Sequence, residues 1–197
     1  MTSFAGQGRI AWVIDMAHFE KTLETRELFR GRILRLEVDR VELEDGSVSS
    51  REVVRHPGGA AILPLDADGQ VTLVRQFRYA FGQELLEIPA GKLEPGEEPK
   101  AAAIRELEEE CGLVAGAVTD LGCIYPSVGY GDEIIYLYLA RDLRPTEARP
   151  DAGEFVSLER YPLSTLAEMA ESGVLRDAKT VTAVLKTRNL ISRDART

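Results

Sequence analysis

The acidic stretch of residues 91–113, GKLEPGEEPKAAAIRELEEECGL, constrains the fold more than any other part of the chain. Within it, apolar residues recur at steps of three and four positions: Ala103, Ile104, Leu107 and Cys111. This period predicts an amphipathic helix, because about 3.6 residues per turn bring such side chains to one side. Pro99 near the start and Gly112 just past the end are typical of helix entry and exit.

Three carboxylates share another face of this helix. Glu106, Glu109 and Glu110 occupy positions i, i+3 and i+4, so they lie side by side. Like charges at these spacings repel by roughly a few tenths of a kcal/mol per pair, and within the helix only Arg105 offers relief. A solvated acidic face is the ordinary outcome of such a charge run. A bound divalent cation is the alternative, and oxygen-only ligands favour Mg²⁺ or Mn²⁺.

The charge balance and the cysteines limit the partners and the compartment. The chain has 24 Lys and Arg against 33 Asp and Glu, a formal net charge of −9, so no nucleic-acid partner is expected. The longest early apolar stretch, residues 10–19, is interrupted by Asp15 and His18, so no membrane association is expected. Cys111 and Cys123 have neither metal nor disulfide spacing, which favours a reducing cytoplasm.

Periodicity predicts strands before the acidic helix and both strands and helices after it. From about Leu28 the apolar residues alternate, the alternation shifts by one at Arg40, where a bulge is expected, and a hairpin turn follows at Asp45-Gly46. Residues 66–69, DADG, form a second hairpin-like turn between two apolar runs. Further strands are predicted at 120–125 and 133–140, with closing helices at 163–173 and 177–191. Mixed strands followed by helices indicate an α+β or three-layer α/β/α domain.

Residues 91–113 resemble the Nudix box, a motif with glycine, glutamate, arginine and aliphatic residues at fixed spacing. Every fixed position is filled: Gly91, Glu97, Arg105, Glu106, Leu107, Glu109, Glu110, Gly112 and Leu113. Nine constraints at fixed spacing make the match specific, unlike a lone glycine motif. The resemblance implies an α/β fold, the Nudix α/β/α sandwich, in which the box forms a loop, a helix and a loop.

The resemblance also implies a metal centre for Mg²⁺, with Mn²⁺ as a possible substitute. In that family the box glutamates bind the metals, which implies four ligands here: Glu106, Glu109, Glu110 and the carbonyl of Ala90. Arg105 and Glu97 would hold these carboxylates in position. The resemblance thus places Arg105, which orients the ligands, and Glu109 among the catalytic residues. Glu154 resembles the outer metal ligand or base of the family, and Asp151 is the alternative base. Water would attack one phosphorus atom of a pyrophosphate.

Segments outside the box resemble the ADP-ribose pyrophosphatase-like branch of the family. They include REVVRHPGGAAILPL, VRQFRYA, LLEIPAGKLE and SVGYGDEIIYLYLA. This resemblance implies that the nucleotide and phosphates are bound by Arg51, Glu52 and Arg78. It implies that Ser127, Gly129 and Glu133 lie in the loop nearest the terminal ribose. The expected substrate is a nucleoside diphosphate sugar, most simply ADP-ribose, cleaved to AMP and ribose 5-phosphate.

Three segments are predicted: an extension at 1–23, a dimer-forming β arm at 24–56 and a Nudix domain at 57–197. Relatives in this branch pair as homodimers through such an arm. Leu34, Leu36 and Val38 alternate along it and need a covering surface, because an isolated hairpin buries little. Arg32 and Ile33 would then reach the nucleotide site of the partner.

Two other functions remain open on the sequence. A sensor of the same fold could bind a nucleotide sugar without cleaving it, but such a protein would usually lack box carboxylates and carry a DNA-binding domain. A hydrolase of another nucleotide sugar or of nucleoside triphosphates is the second alternative. The long amino-terminal strands disfavour a triphosphate substrate.

Overall fold

The computed structural model describes residues 18–149, 153 and 155–194. Within these residues the chain forms ten strands and three α-helices. The strands are β1 Lys21–Arg30, β2 Arg35–Glu42, β3 Val48–Arg55, β4 Gly59–Pro64, β5 Gln70–Arg78, β6 Gln83–Glu87, β7 Ala90–Lys92, β8 Leu113–Ile124, β9 Ile135–Pro145 and β10 Val156–Pro162. The helices are α1 Pro99–Cys111, α2 Leu163–Glu171 and α3 Ala178–Asp194. No helix in this described part is long and apolar enough to cross a membrane.

The central layer is a four-stranded sheet with the order β7-β4-β9-β8, in which β4 and β9 run parallel. Successive side chains of β4 point to opposite faces, as in any strand. Ala60 and Ile62 pack with α1, whereas Ala61 and Leu63 pack with α2 and α3. Helices therefore cover both faces of the sheet, and the predicted α/β/α sandwich is confirmed.

Helix α1 begins and ends where the acidic stretch predicts. Pro99 occupies its first turn, and Gly112 ends it in the left-handed conformation with φ 61°. The amide of Gly112 donates to the carbonyls of Glu108 and Leu107, so the last turn is capped. Ala103 and Leu107 are fully buried, which fixes the side of the helix that faces the sheet.

The predicted arm is a three-stranded antiparallel sheet, β1-β2-β3. Gly46, at φ 80°, forms the predicted turn between β2 and β3. The bulge expected at Arg40 is not in β2, whose pairing with β3 is continuous. The extra residue instead lies in β1 between Thr22 and Glu24, opposite Val41 and Arg40. Strand β1 begins at Lys21, inside the segment predicted as an extension, and residues 1–17 of that segment lie outside the described residues.

The second predicted turn is present, but the two apolar runs that it joins belong to different sheets. Asp66 Oδ1 accepts hydrogen bonds from the amides of Asp68 and Gln70, and Gly69 has φ 76°. However, β4 belongs to the central sheet and β5 to a second sheet, β10-β5-β6, joined only by a bridge between Leu65 and Val71. Two apolar runs around a turn cannot tell a hairpin from a crossing between sheets, because the strands that pair with each run lie elsewhere in the chain.

Strand β10 was not predicted from the sequence. It pairs with β5 over its whole length, from Val156 opposite Gln76 to Pro162 opposite Gln70. Arg75 on β5 binds Glu159 on β10, with Nη2 3.1 Å from Oε2. This ion pair, helped by the Tyr161 hydroxyl, lowers the pKa of Glu159 to about 2. The strand places the chain after residue 155 beside the helices that close the domain.

Candidate active site at the acidic helix

Arg105 is the centre of the acidic face. Its guanidinium donates to Glu97 from Nε at 3.0 Å, to Glu106 at 2.7 Å and to Glu109 at 2.8 Å. The bond with Glu97 is the main reason that the pKa of Arg105 is raised and that of Glu97 is lowered. One cation thus contacts three carboxylates of the box, and the orienting role that the resemblance implies for Arg105 and Glu97 stays a prediction.

Two of the glutamates are buried against the backbone of β7. Glu106 and Glu110 expose only 9% and 5% of their surface. Glu110 Oε2 accepts a hydrogen bond from the amide of Ala90 at 3.0 Å, so the helix is tied to the strand whose carbonyl was predicted as a ligand. A Cβ on Gly91 would lie 1.7 Å from Glu106 Oε1. Only glycine at this position leaves room for the carboxylate.

The donor set of this face fits a hard divalent cation. All the predicted ligands carry oxygen donors, which Mg²⁺ and Mn²⁺ prefer. Among the residues that the structure describes, no three His, Cys, Asp or Glu side chains already converge on one metal position. Hydrogen bonds explain the arrangement, since Arg105 engages Glu106 and Glu109 while the Ala90 amide engages Glu110. Glu154, the remaining predicted ligand and base, and its alternative Asp151 lie outside the described residues.

A cleft with a volume of about 870 Å³ opens beside the box. Its walls come from the arm and from the central domain, and they carry many charged side chains: Arg30, Arg32, Arg35, Arg55, Lys92, Glu94, Glu97, Arg105, Glu106 and Asp132. Arg32 and Ile33, which the sequence analysis assigned to a partner's site, line this cleft of their own chain. The mixture of arginines and carboxylates suits a ligand that combines anionic phosphates with hydroxyl groups.

Arg78 is held by a buried carboxylate. Its Nε and Nη2 donate to the two oxygens of Glu87 at 2.6 and 2.7 Å, and Lys179 of α3 donates to the same carboxylate. Glu87 is 1% exposed, and the two cations keep its pKa below the usual value despite burial. The amide of the next residue, Ile88, donates to the Thr180 hydroxyl at 2.9 Å. Helix α3 therefore anchors the segment that leads into Ala90, and the substrate role of Arg78 stays a prediction.

Arg51 and Glu52 are not brought to the cleft of their own chain. Arg51 donates to Glu20 at 2.9 Å and lines a separate hollow at the far end of the arm with Phe19 and Leu43. Glu52 is the next residue of β3 and therefore points to the opposite face, where it pairs with Val38. Their predicted role in nucleotide binding stays a prediction.

The loop of residues 125–134 contains the other predicted substrate residues. The Ser127 carbonyl accepts hydrogen bonds from the amides of Tyr130 and Gly131 at 3.2 and 2.8 Å. A Cβ on Gly129 would meet nothing within 4 Å, so this position faces open space. Glu133 pairs with Nδ1 of His56 at 3.4 Å, so the loop is attached to the end of the arm.

Sequence reasoning missed several charged residues that line the cleft, among them Arg55 and Asp132. Arg55 donates to Glu37 at 2.7 Å and to Asp132 at 3.3 Å. Asp132 also accepts from the amide of His56 at 2.8 Å. The only available signal was that Arg55 directly precedes His-Pro-Gly at the end of the arm, where the chain must change direction.

Cys111 can be set aside as a nucleophile. It is buried on α1, and burial raises the pKa of its thiol to about 12. A thiol with that pKa carries almost no thiolate near neutral pH. Cys111 is therefore a core residue of α1.

Comparisons with known proteins agree with this geometry. A family model described as "NUDIX domain" matches residues 55–184, and one described as "Nucleoside diphosphate sugar hydrolase N-terminal domain" matches residues 20–54. An ADP-ribose pyrophosphatase of Bacillus subtilis (strain 168) is 41% identical over 167 residues, which are 84% of this chain and 90% of the relative. A methanol dehydrogenase activator of Bacillus methanolicus is 42% identical over 167 residues, with the same coverage of 84% and 90%.

A solved structure shares the fold. The crystal structure of an ADP compounds hydrolase superposes with a TM-score of 0.79 and 24% sequence identity, covering 90% of this chain and 97% of the other. The resemblance predicted from residues 91–113 is thus confirmed by a match that extends over the arm and the central domain. The chain belongs to the Nudix hydrolase family.

Proposed function

We propose that this protein hydrolyses the pyrophosphate bond of a nucleoside diphosphate sugar, and that ADP-ribose is its substrate. The observation that carries the proposal is the complete acidic face, in which Arg105 orders Glu97, Glu106 and Glu109 beside a charged cleft. The similarity to an ADP-ribose pyrophosphatase over 84% of the chain supports the choice of substrate. The products would be AMP and ribose 5-phosphate.

The proposed cofactor is Mg²⁺, with Mn²⁺ as a substitute. When bound, such a cation neutralises phosphate charge and makes hydroxide available near neutral pH. Glu106, Glu109, Glu110 and the Ala90 carbonyl would hold it, and Arg105 keeps two of these carboxylates in position. Glu154 is the proposed base that takes the proton of the attacking water, with Asp151 as the alternative.

The proposed substrate contacts follow the two ends of the molecule. Arg78 is bound to Glu87, three residues before Ala90, so it lies near the start of the box. It would contact the phosphates together with Arg51 and Glu52. Ser127, Gly129 and Glu133 would surround the terminal ribose, and Arg32 and Ile33 would form the arm side of the site. The reducing cytoplasm is the proposed compartment, since Cys111 and Cys123 are free thiols.

A substrate panel tests the proposal. With Mg²⁺ or Mn²⁺, we expect equimolar AMP and ribose 5-phosphate from ADP-ribose, and at least ~10-fold lower kcat/KM for GDP-mannose, dinucleotides and ATP. Released phosphomonoesters are measured after each reaction, and binding is followed separately by calorimetry. Binding of ADP-ribose without cleavage would instead indicate a sensor. A clear preference for ATP would indicate a triphosphate hydrolase.

We propose that residues 24–56 are a dimer-forming arm and residues 57–197 the hydrolase domain. All ten residues of β1 are exposed, and the exposed residues of the arm include Leu28, Phe29 and Ile33. An edge strand with apolar side chains in water favours association with another surface. A second copy of the arm offers such a surface, with the two-fold pairing that is common among homo-oligomers.

Light scattering at micromolar concentration is expected to give twice the mass of one 21.7 kDa chain. The reason is that the arm leaves apolar side chains uncovered in a single chain.

A second experiment asks whether Arg51 serves the site of the partner subunit, since it does not line the cleft of its own chain. Inactive Arg51→Ala subunits are mixed with inactive Glu106→Gln subunits, and the activity of the mixture is measured. Recovery of activity would indicate shared sites. A fully active single chain would exclude an obligatory dimer.

A further inference from the structure

The junction between the arm and the central domain is closed by an unusual pairing. The amide of Val54 on β3 donates to the carbonyl of Tyr130 at 2.7 Å, and the amide of Asp132 donates to the carbonyl of Val54 at 3.1 Å. Val54 and Gly131 thus form a parallel bridge. Five residues after Val54, Gly59 at the start of β4 pairs with Ile135 in the parallel ladder of β4 and β9. The loop of residues 125–134 therefore continues the central sheet onto the edge of the arm.

Charged side chains reinforce this bridge from one face of the arm. Arg55 Nε donates to Glu37 Oε2 at 2.7 Å, its Nη2 lies 3.4 Å from Asp39 Oδ2, and its Nη1 donates to Asp132 at 3.3 Å. Glu37 and Asp39 are 8% and 6% exposed, and Asp39 Oδ1 is buried without a hydrogen-bond partner among the described residues. Two buried carboxylates need a cation nearby, which keeps the Arg55 guanidinium at this point.

Asp132 bonds to the arm through both of its carboxylate oxygens. Its Oδ2 accepts from Arg55, and its Oδ1 accepts from the amide of His56 at 2.8 Å. Glu133 adds a contact with His56 at 3.4 Å. These bonds span the turn at His56-Pro57, where the chain leaves the arm for β4. Proline at this turn removes a backbone donor, so side chains supply the connection.

The charged residues at the junction between the arm and the domain also line the cleft. Arg55, His56 and Asp132 line the same cleft as Arg105 and Glu106. One wall of the cleft is arm, residues 30–35, and the other belongs to the domain, residues 91–97. Any rotation of the arm about the His56-Pro57 turn would therefore change the distance between the walls, and the bonds from Asp132 oppose that rotation.

We propose that Arg55 and Asp132 form a latch that fixes the arm against the 125–134 loop and so sets the width of the substrate cleft. The proposal rests on the proposed function for the identity of the substrate, a nucleoside diphosphate sugar. Arg55 and Asp132 are positioning residues in this view. They act on substrate affinity through the walls of the cleft, whereas the chemistry belongs to the box.

The latch is tested with Asp132→Asn and Arg55→Lys. Asparagine keeps the Oδ1 acceptor for His56 but loses the ion pair, and lysine keeps the charge but cannot reach three carboxylates at once. Losing one charge-assisted hydrogen bond is expected to raise the KM for ADP-ribose roughly 5- to 10-fold, with kcat changed less than about 2-fold. Amide exchange at Val54 and Asp132, measured without substrate, is expected to accelerate by a similar factor. The double variant is expected to be no worse than the poorer single variant.

Glu171→Gln is the matched control. It removes a carboxylate from an ion pair with Arg188 that joins α2 to α3, away from the cleft. We expect no change in KM or in exchange at Val54. A raised KM with unchanged exchange in Asp132→Asn would overturn the latch, because Asp132 would then contact the substrate directly. Unchanged KM and unchanged exchange would overturn it as well. If the wild-type protein cleaves no nucleotide sugar, the proposed function fails. The latch is then tested by amide exchange at Val54 and Asp132 alone, compared between the variants and the wild-type protein without substrate.

Discussion

Glutamine at position 106 or position 110 is expected to lower turnover at least ~100-fold, because each glutamate is a proposed ligand of the cation that would supply several kcal/mol of charge stabilisation to the phosphates. The carboxylates of Glu106 and Glu110 are the two most buried on the acidic face. Glutamine has almost the same shape and retains one oxygen acceptor, so the substitution removes charge and little else. The measurement is kcat for ADP-ribose at saturating Mg²⁺, with circular dichroism to verify the fold.

The same helix provides a control for this prediction. Glu108 lies between Glu106 and Glu110 in sequence, is half-buried, and has no role in the box contacts described above. Glu108→Gln makes the same chemical change on the same helix and is expected to leave kcat within about 2-fold of wild type. Near-normal turnover in both Glu106→Gln and Glu110→Gln would exclude these carboxylates as metal ligands.

The contacts of Glu106 and Glu110 predict a different effect on stability from the one that charge repulsion alone would give. Like charges at i and i+4 predict that removing one raises the melting temperature of the metal-free protein. In the structure, however, Glu106 accepts from Arg105 and Glu110 accepts from the amide of Ala90. The repulsion is therefore already offset by hydrogen bonds to charged and backbone donors. We expect the melting temperature to fall slightly, by the equivalent of about 1 kcal/mol or less.

Local patterns explain why the acidic helix could be predicted in full. Its start at Pro99, its end at Gly112 and its buried side are all determined by residues within one segment, and α1 follows them. The same is true of the turn at Gly46, which connects β2 and β3. In each case the physical cause lies within a few residues of the effect: a fixed φ, a missing Cβ or a period of side chains.

Features that depend on distant partners were not predictable. The assignment of β4 and β5 to different sheets depends on what lies beside each strand, and β10 is a strand because it pairs with β5 across 84 positions, as Arg75 and Glu159 show. The start of strand β1 at Lys21 was missed because charged residues interrupt its apolar pattern. Its ten residues are all exposed, so no burial pattern was available to reveal it.

The candidate site shows the same division. The sequence predicted the residues of the box, and the structure brings Gly91, Glu97, Arg105 and Glu106 together at the cleft. The sequence contained no sign of the contact between Arg55 and Asp132, which are 77 positions apart. Arg51 and Glu52, which the resemblance assigns to the substrate, do not line this cleft, because the topology places them elsewhere on β3. A motif thus identifies the groups that perform chemistry, and the topology decides which other groups surround them.

Alanine at position 91 is expected to lower turnover by about as much as losing a glutamate, ~100-fold, although it changes no charge. The added methyl carbon would lie 1.7 Å from Glu106 Oε1 and 2.2 Å from the carbon of that carboxylate. Helix α1 cannot retreat, because Ala103 and Leu107 are fully buried against the sheet. The carboxylate of Glu106 must therefore rotate away, which breaks its bond with Arg105 and displaces a proposed metal ligand by about 1 Å or more.

Two measurements separate this steric effect from general destabilisation. The Mg²⁺ concentration for half-maximal activity is expected to rise at least ~10-fold in Gly91→Ala, because a displaced ligand weakens metal binding. Gly173→Ala is the control, since Gly173 has φ 75° and a Cβ there would meet nothing within 4 Å. It is expected to cost about 1 kcal/mol of stability through backbone strain and to leave turnover unchanged. If Gly91→Ala shows only a similar loss of stability, with normal turnover and normal Mg²⁺ dependence, then the close approach of Glu106 to the backbone is not required for the reaction.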